Sequence, residues 1–300
     1  MKKFLPILAI LAAGVLLLAK PEDTAEAVRS GLLLCSGTVI PSLFPFFVVV
    51  GLLLQLGLAG YLQNLFSPFM GPLFRLRGVC ALPLLTGLLG GYPSGARTAA
   101  DLYARGELSR PEAEILLGFC DNCGPAFLLG YVGAGILGDP RQGVWIYLIH
   151  VAAALLTGVL LCRLHPDRGP ALLRSSLPVR RTAFPEALTA SVSGALSSTL
   201  NICAFVVVFR VLAALAPPWT PALSLGVLEM VTGIAALEPG RAGFVAAAAI
   251  AGWGGLCVHC QGLSAAAPAG LSYRWHWIGK AVQALLSALL AAAVWRMAGM

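Results

Sequence analysis

This 300-residue chain predicts an all-α, polytopic integral membrane fold, and three observations carry the prediction. Apolar residues make up 58% of the sequence and charged ones 11%, with a mean hydropathy of +0.86, a balance that a domain with a wet surface cannot hold. Apolar stretches of helical length recur from end to end, separated by short loops that carry most of the charge. Two of them, 80–96 (CALPLLTGLLGGYPSGA) and 222–238 (ALSLGVLEMVTGIAALE), sit at matching places in the two halves and contain polar residues unsuited to a lipid-facing helix. Paired, interrupted segments of this kind point to a solute site near the bilayer midplane.

The elements follow in order. Lys2 and Lys3 precede an apolar run over 4–19 with no small-x-small cleavage site, and Lys20-Pro21 is a poor junction, so 1–24 reads as a retained signal-anchor helix. Further spans are predicted at 31–58, 80–96, 115–137, 143–162, 186–216, 222–238, 242–264 and 276–298. The two short segments reach only about 26 Å as ideal helix against a hydrocarbon thickness of about 30 Å, so each is able to turn back. If both are re-entrant, 14 of the 20 Lys/Arg fall on the cytoplasmic side, against 8 if every segment crosses. The positive-inside rule therefore selects about seven crossing helices plus two re-entrant hairpins.

That topology makes the halves inverted repeats: repeat 1 over 25–142 and repeat 2 over 186–275. A linking helix and a cytoplasmic basic loop fill 143–185, and a C-terminal helix covers 276–300. Weak echoes agree, with Phe46-Phe47-Val48-Val49-Val50 answered by Ala204-Phe205-Val206-Val207-Val208, and Thr86-Gly87 by Thr232-Gly233. The net charge of +7 is concentrated in the loop from Arg163 to Arg181, without interleaved aromatics, which fits juxtamembrane charge and not nucleic-acid binding.

Polar groups inside the spans are the functional candidates, because an ionisable side chain at membrane depth needs a cavity or a partner. Glu229 has Thr232 one turn on, on the same helix face; the pair suits a cation, a proton or a donor group of a solute, or else Glu229 pairs with a buried base. Gly90-Gly91-Tyr92-Pro93-Ser94-Gly95 reads as a hairpin tip in which Ser94 caps a helix beginning near Ala96. Arg97 beside freed N–H groups makes an anion site, or is a positive-inside anchor. Asp121, Asn122, Gly124 and Pro125 interrupt the next span, since Pro125 leaves a carbonyl one turn earlier without its donor. His259 and Gln261 stand at the equivalent place in the second half. Asn201 is a polar group midway along 186–216, suited to solute contact or to interhelical hydrogen bonding. Asp121 and Glu229 are the candidates for coupling or gating.

Cys120-x-x-Cys123 and Cys257-Val258-His259-Cys260 have zinc-ligand character, but four thiolates would put net negative charge into a low-dielectric span. No metal, cofactor or disulfide framework is expected. The absence of H-E-x-x-H, G-x-S-x-G and paired catalytic Asp motifs argues against an enzyme. The expected partners are a small-molecule substrate and the lipid bilayer, with no nucleic acid. Glycine-rich faces at 130–138 and 251–262 allow close packing of helices within a subunit or in a homo-oligomer.

The stretch GGYPSGARTAADLYARGELSRPEAEILLGFCDNCGPAFLLGYVG, with IPSLFPFFV before it and Leu228-Glu229-Met230 and GGLCVHCQ after it, resembles the YlbJ/SpoVV-type sporulation integral membrane proteins. These carry the nucleoside-recognition Gate domain and are similar in architecture to concentrative nucleoside transporters. The resemblance implies a secondary-transporter-like carrier in a bacterial cytoplasmic membrane, the outer forespore membrane during sporulation, that moves dipicolinic acid into the forespore. A nucleoside or other small-metabolite carrier, or a non-transporting scaffold, is the alternative. In such a carrier Ser94, Arg97, Asn122, Asn201, Glu229, Thr232, His259 and Gln261 would hold the solute. Two residues depart from the pattern: Asp121 stands where a neutral polar residue is usual, and Cys123 where Ser or Ala is.

Overall fold

The computed structural model describes residues 4–164 and 182–298, and among them every regular element is helical. The basic loop used in the charge count lies, over 165–181, outside the described residues.

α1 (Leu5–Ala19) ends at Lys20, and α2 (Pro21–Leu34) starts directly with a Pro in the first turn and Glu22 and Asp23 against the positive end of the helix dipole. α2 continues through a π turn (Cys35–Val39) into α3 (Ile40–Gln55), so the helix predicted over 31–58 begins well before its apolar part. Hydropathy does not register the polar first turns. The π turn lies just before Pro41, whose missing N–H breaks the regular ladder.

α4 (Leu58–Phe74) was not expected. Its interior Pro68 and Pro72 resemble loop signals, yet the helix persists between a left-handed Gly57 and a left-handed Arg75. Residues 64–74 meet 78–90 at 87°.

Among the described residues, four helices are long and apolar enough to cross a membrane: α8 (Pro140–Leu164), α9 (Phe184–Ala214), the stretch Arg241–Ala269, and Arg274–Met297 within α14 (Arg274–Ala298); the bent pair would make a fifth. The stretch from Arg241 contains α12 (Arg241–Trp253) and α13 (Gly255–Ala266), separated at Gly254. The short segments fold back as helical hairpins: α5 (Ala81–Gly90) with α6 (Ser94–Ala104), and α10 (Ala222–Leu228) with α11 (Met230–Ala235). At about 1.5 Å per residue no single arm spans the roughly 30 Å of hydrocarbon. The predicted helix over 115–137 is irregular over 117–125, between α7 (Arg110–Leu116) and a π-helical run, Ala126–Ile136.

Packing is set by small residues. Gly133 backs onto Gly143 of α8, Gly252 onto α14 at Ala284 and Ser287, and Gly279 onto the Gly118 carbonyl. α9 lies along α2 and α3, while α14 fills the space between α8 and α12. Of the glycine faces noted in the sequence, Gly133 and Gly252 are thus used for contacts inside the chain.

Candidate functional site

The first hairpin is shaped around main chain. Cβ atoms at Gly87 and Gly95 would both collide with the Cys120 carbonyl, so the irregular segment 117–125 sits in the groove between the two arms. Thr86 Oγ1 bonds Thr98 Oγ1 across the arms at 3.0 Å. The turn requires glycine at Gly91, with φ +81°. α6 begins at Ser94, with Pro93 at the cap position, so the expectation that Ser94 caps a helix starting near Ala96 is corrected. The Ser94 hydroxyl is buried without a hydrogen-bond partner among the described residues. Asp121 accepts the Ala96 N–H at 3.3 Å instead.

The second hairpin turns on Glu229, whose extended backbone (φ −141°, ψ 115°) separates α10 from α11. Gly226 lies directly against Gly233. The Glu229 carboxylate accepts from the N–H groups of Val231 (2.9 Å) and Thr232 (2.7 Å) and from the Thr232 hydroxyl (2.7 Å). Arg210 of α9 stands 3.9 Å from it and donates to Thr232 Oγ1 (3.0 Å) and Ser30 Oγ (2.9 Å). A half-buried base thus stands beside Glu229, although Arg210 was not singled out in the sequence.

The second helix break, Gly254-Gly255, has φ of +90° and +82°. A Cβ on Gly255 would lie 3.0 Å from the Met230 nitrogen, and one on Gly254 would lie 3.1 Å from the Tyr92 hydroxyl. Gly91 likewise faces Gly124, at 3.1 Å from its added Cβ. Two hairpin turns and two helix breaks therefore meet at one place.

There they border a cavity of about 340 Å³. Main chain of Gly90, Gly91 and Gly124 forms part of its wall, Phe46, Phe127 and Tyr131 supply aromatic faces, and Glu229 and Gln261 supply the polar end. Of the predicted residues, Gly90, Gly91, Gly124, Glu229 and Gln261 line it. Ser94, Arg97, Asn122, Asn201, Thr232, His259 and Asp121 do not. Arg97 faces the other way, its guanidinium 5.2 Å from the centre of the Phe47 ring and 3.5 Å from Asp101. Asn201 is on the exposed face of α9, while Ile202 and Val206 of the same helix line the cavity. Thr232 is held by Arg210 and Glu229, and His259 by His276, its Nδ1 2.6 Å from His276 Nε2. Pro93, Gly95 and Pro125 shape the hairpin and the break without reaching the cavity.

Behind the cavity is a buried polar network that the sequence reading missed. Lys280 of α14 is fully buried and donates to the Tyr92 hydroxyl (2.7 Å), the Asp121 carbonyl (2.9 Å) and Gln283 Oε1 (2.7 Å). The Tyr92 hydroxyl in turn donates to the Ala251 carbonyl at 3.0 Å. Gln283 donates to Asn122 Oδ1 at 2.8 Å, Asn122 donates to the Phe119 carbonyl at 2.9 Å, and His150 of α8 accepts the Cys123 N–H at 3.0 Å. The Asp121 carbonyl, the Asn122 amide oxygen and the Cys123 N–H of the irregular segment are thus satisfied by side chains. The available signal was Lys280 with Gln283 three residues on, one face of an otherwise apolar helix.

A second anchor holds the loop after α6. Glu112 caps α7 through Ser109, and its carboxylate takes Arg77 Nε (2.7 Å) and Nη2 (2.5 Å), while Arg77 also donates to the Glu107 carbonyl (2.9 Å). All eight cysteines are free thiols, and among the described residues no three His, Cys, Asp or Glu side chains converge as a metal site would require.

Fold and site define a helical integral membrane protein in which two hairpins and two broken helices border a cavity. The chain belongs to the nucleoside recognition (Gate) family, whose model matches residues 37–213, from the π turn before α3 through α9. It is also similar to the sporulation integral membrane protein YlbJ of Bacillus subtilis (strain 168), with 34% identity over 142 residues. That match covers 47% of this chain and 35% of the relative's length. No solved structure matches.

Proposed function

We propose that the protein is a secondary-transporter-like carrier of a small, flat, ring-containing solute, working by alternating access of two inverted repeats. The observation that carries this reading is the cavity at the meeting point of both hairpin turns and both helix breaks. Unwound main chain is tolerated at membrane depth where it lines a cavity or is buried in protein. About seven crossings, with both hairpins re-entrant, agree with the charge distribution. No chemical step is assigned to the site.

The walls favour a neutral ring of the nucleobase or nucleoside type. They are largely apolar and aromatic, and the Glu229 carboxylate and the Gln261 amide offer hydrogen bonds at one end. The family's description as nucleoside recognition agrees. Dipicolinic acid, moved from mother cell to forespore across the outer forespore membrane, is the second reading, favoured by the sporulation relative. A dianion there requires a cation, and Arg210 beside Glu229 is the group that would turn to meet it.

Thermal stabilisation of the detergent-purified protein separates the two, since a bound ligand raises stability by RT ln(1 + [L]/Kd). Uridine or adenosine is expected to raise the melting temperature, and Val206→Trp, which fills the cavity, to abolish the shift. A shift with dipicolinate alone, lost in Arg210→Gln, moves the assignment to the dianion. No shift with either class leaves the cavity without a solute and favours a scaffold.

A further inference from the structure

Asp121 lies in the irregular segment between α7 and the π-helical run, and its surroundings are unusual for a structural carboxylate. The residue is completely buried. Its Oδ1 accepts the Ala96 N–H, while Oδ2 has no hydrogen-bond partner among the described residues. The Tyr273 hydroxyl is buried and equally without one. Both groups flank Gly262, where an added Cβ would lie 3.1 Å from Asp121 Oδ2 and would run into the Tyr273 hydroxyl. A carboxyl oxygen and a phenol therefore share a buried spot that only glycine leaves open.

From there a row of exchangeable groups leads outward. The Tyr273 ring stacks on His276 at 4.0 Å, His276 Nε2 is 2.6 Å from His259 Nδ1, and the His259 ring packs 4.6 Å from Trp277, which is 41% exposed. His259 Nε2 has no partner among the described residues. On the other side, Lys280 places its ammonium among three oxygens from Tyr92, Asp121 and Gln283. Such an oxygen set suits a hard cation, and the ammonium already fills it. A metal ion would have to enter beside a fixed positive charge; a proton needs only a carboxyl oxygen.

We propose that Asp121, flanked by Tyr273, is a proton-binding site whose occupancy sets the hold of the first hairpin, and that protons, not metal cations, couple the carrier. The ionised carboxylate offsets the nearby Lys280 charge and holds the Ala96 N–H in the first turn of α6. Proton uptake raises the charge of the junction by one and weakens that bond. The ionisable groups around Asp121 are Lys280 and His276 of α14, Tyr273 just before it, Tyr92 at the hairpin turn, His259 and Cys260 of α13, and Cys120 and Cys123 on its own segment. His150 of α8 reaches the segment through the Cys123 N–H.

Coupling rests on the carrier reading above; proton binding by Asp121 does not, and the test reads proton binding first. Infrared difference spectra of the full chain in phospholipid vesicles are recorded between about pH 4 and pH 9, a range that brackets ordinary and raised carboxyl titrations. The expected result is a protonated-carboxyl band that titrates, disappears in Asp121→Asn and survives in Glu229→Gln. If Asp121→Asn does not fold, Tyr273→Phe is expected to move the midpoint of the band. A band lost only in Glu229→Gln, an unmoved midpoint in Tyr273→Phe, or no titrating band overturns the proposal. In the same vesicles, a pH gradient is expected to drive uptake of whichever solute stabilises the wild type, and Asp121→Asn to keep exchange while losing that drive. Equal drive in the variant overturns coupling alone.

Discussion

At the residue scale, Lys280 is the side chain on which most of the buried network depends. Removing the ammonium leaves the Asp121 carbonyl and Gln283 Oε1 short of a donor, each at a cost of about 1–3 kcal/mol, and leaves the Asp121 carboxylate without its counter-charge. Lys280→Met is therefore expected to lower unfolding stability in detergent by about 3 kcal/mol or more. Adding Asp121→Asn should recover part of the loss, so the double variant is less destabilised than the sum of the singles. Glu229 has a different profile because its carboxylate caps α11. Glu229→Gln keeps an acceptor for the Val231 or Thr232 N–H, whereas Glu229→Ala removes the cap, worth about 1 kcal/mol, and leaves Arg210 unbalanced. Thermal melts of the two variants should rank them in that order. Glu229 and Gln261 were legible as polar candidates, and Gly91 and Gly124 as a turn and a helix break, because a charge, an amide or a Gly beside Gly or Pro in an apolar segment stands out locally. Arg210, Lys280 and Gln283 act through partners up to 188 positions away, and local pattern carries no trace of such pairing.

At the scale of elements, the fit of the first hairpin to the irregular segment is the most demanding packing in the fold. Gly95→Ala or Gly87→Ala would press a methyl group into the Cys120 carbonyl, and either is expected to cost about 1–3 kcal/mol. Gly130→Ala, with nothing within 4 Å, should be neutral or slightly stabilising, and a comparison of melting temperatures tests the contrast. The Arg77–Glu112 pair is equally specific. Truncating either partner alone leaves a buried charge and should cost about 3–5 kcal/mol, while exchanging both for apolar residues costs much less. The first hairpin and the break before Pro125 could be read ahead of the structure, since Gly-Gly-x-Pro and Asp-Asn-x-Gly-Pro are incompatible with straight helix, whereas the second hairpin showed only in its shortness and in the charge count. α4 could not, because Pro68 and Pro72 disguise a helix that its neighbours stabilise. Asn201 was placed midway along its helix correctly but on no particular face. α9 scatters its apolar and polar residues around every side, so its sequence carries no phase.

For the whole molecule, the arrangement of the two hairpins predicts which loops share a side of the membrane. Single cysteines replacing Ala104 and Thr182 should react with an impermeant thiol reagent from the cytoplasmic side, and those replacing Arg141 and Trp219 only from the opposite side. The native cysteines, none of them exposed, give little background. Labelling of all four from one side would exclude the inverted arrangement. The membrane class was evident from composition alone, whereas the way four breaks converge depends on glycine contacts between segments distant in sequence.

Part of the cavity wall is peptide and not side chain. Mutation can alter Phe46, Tyr131, Ile202 or Val206 one at a time, but no codon change deletes a main-chain carbonyl at Gly91 or Gly124, and only one to proline removes the N–H. Drift in solute preference across descendants of this protein should therefore be written in its aromatic and aliphatic walls, while the polar grip of the peptide edge is inherited unchanged.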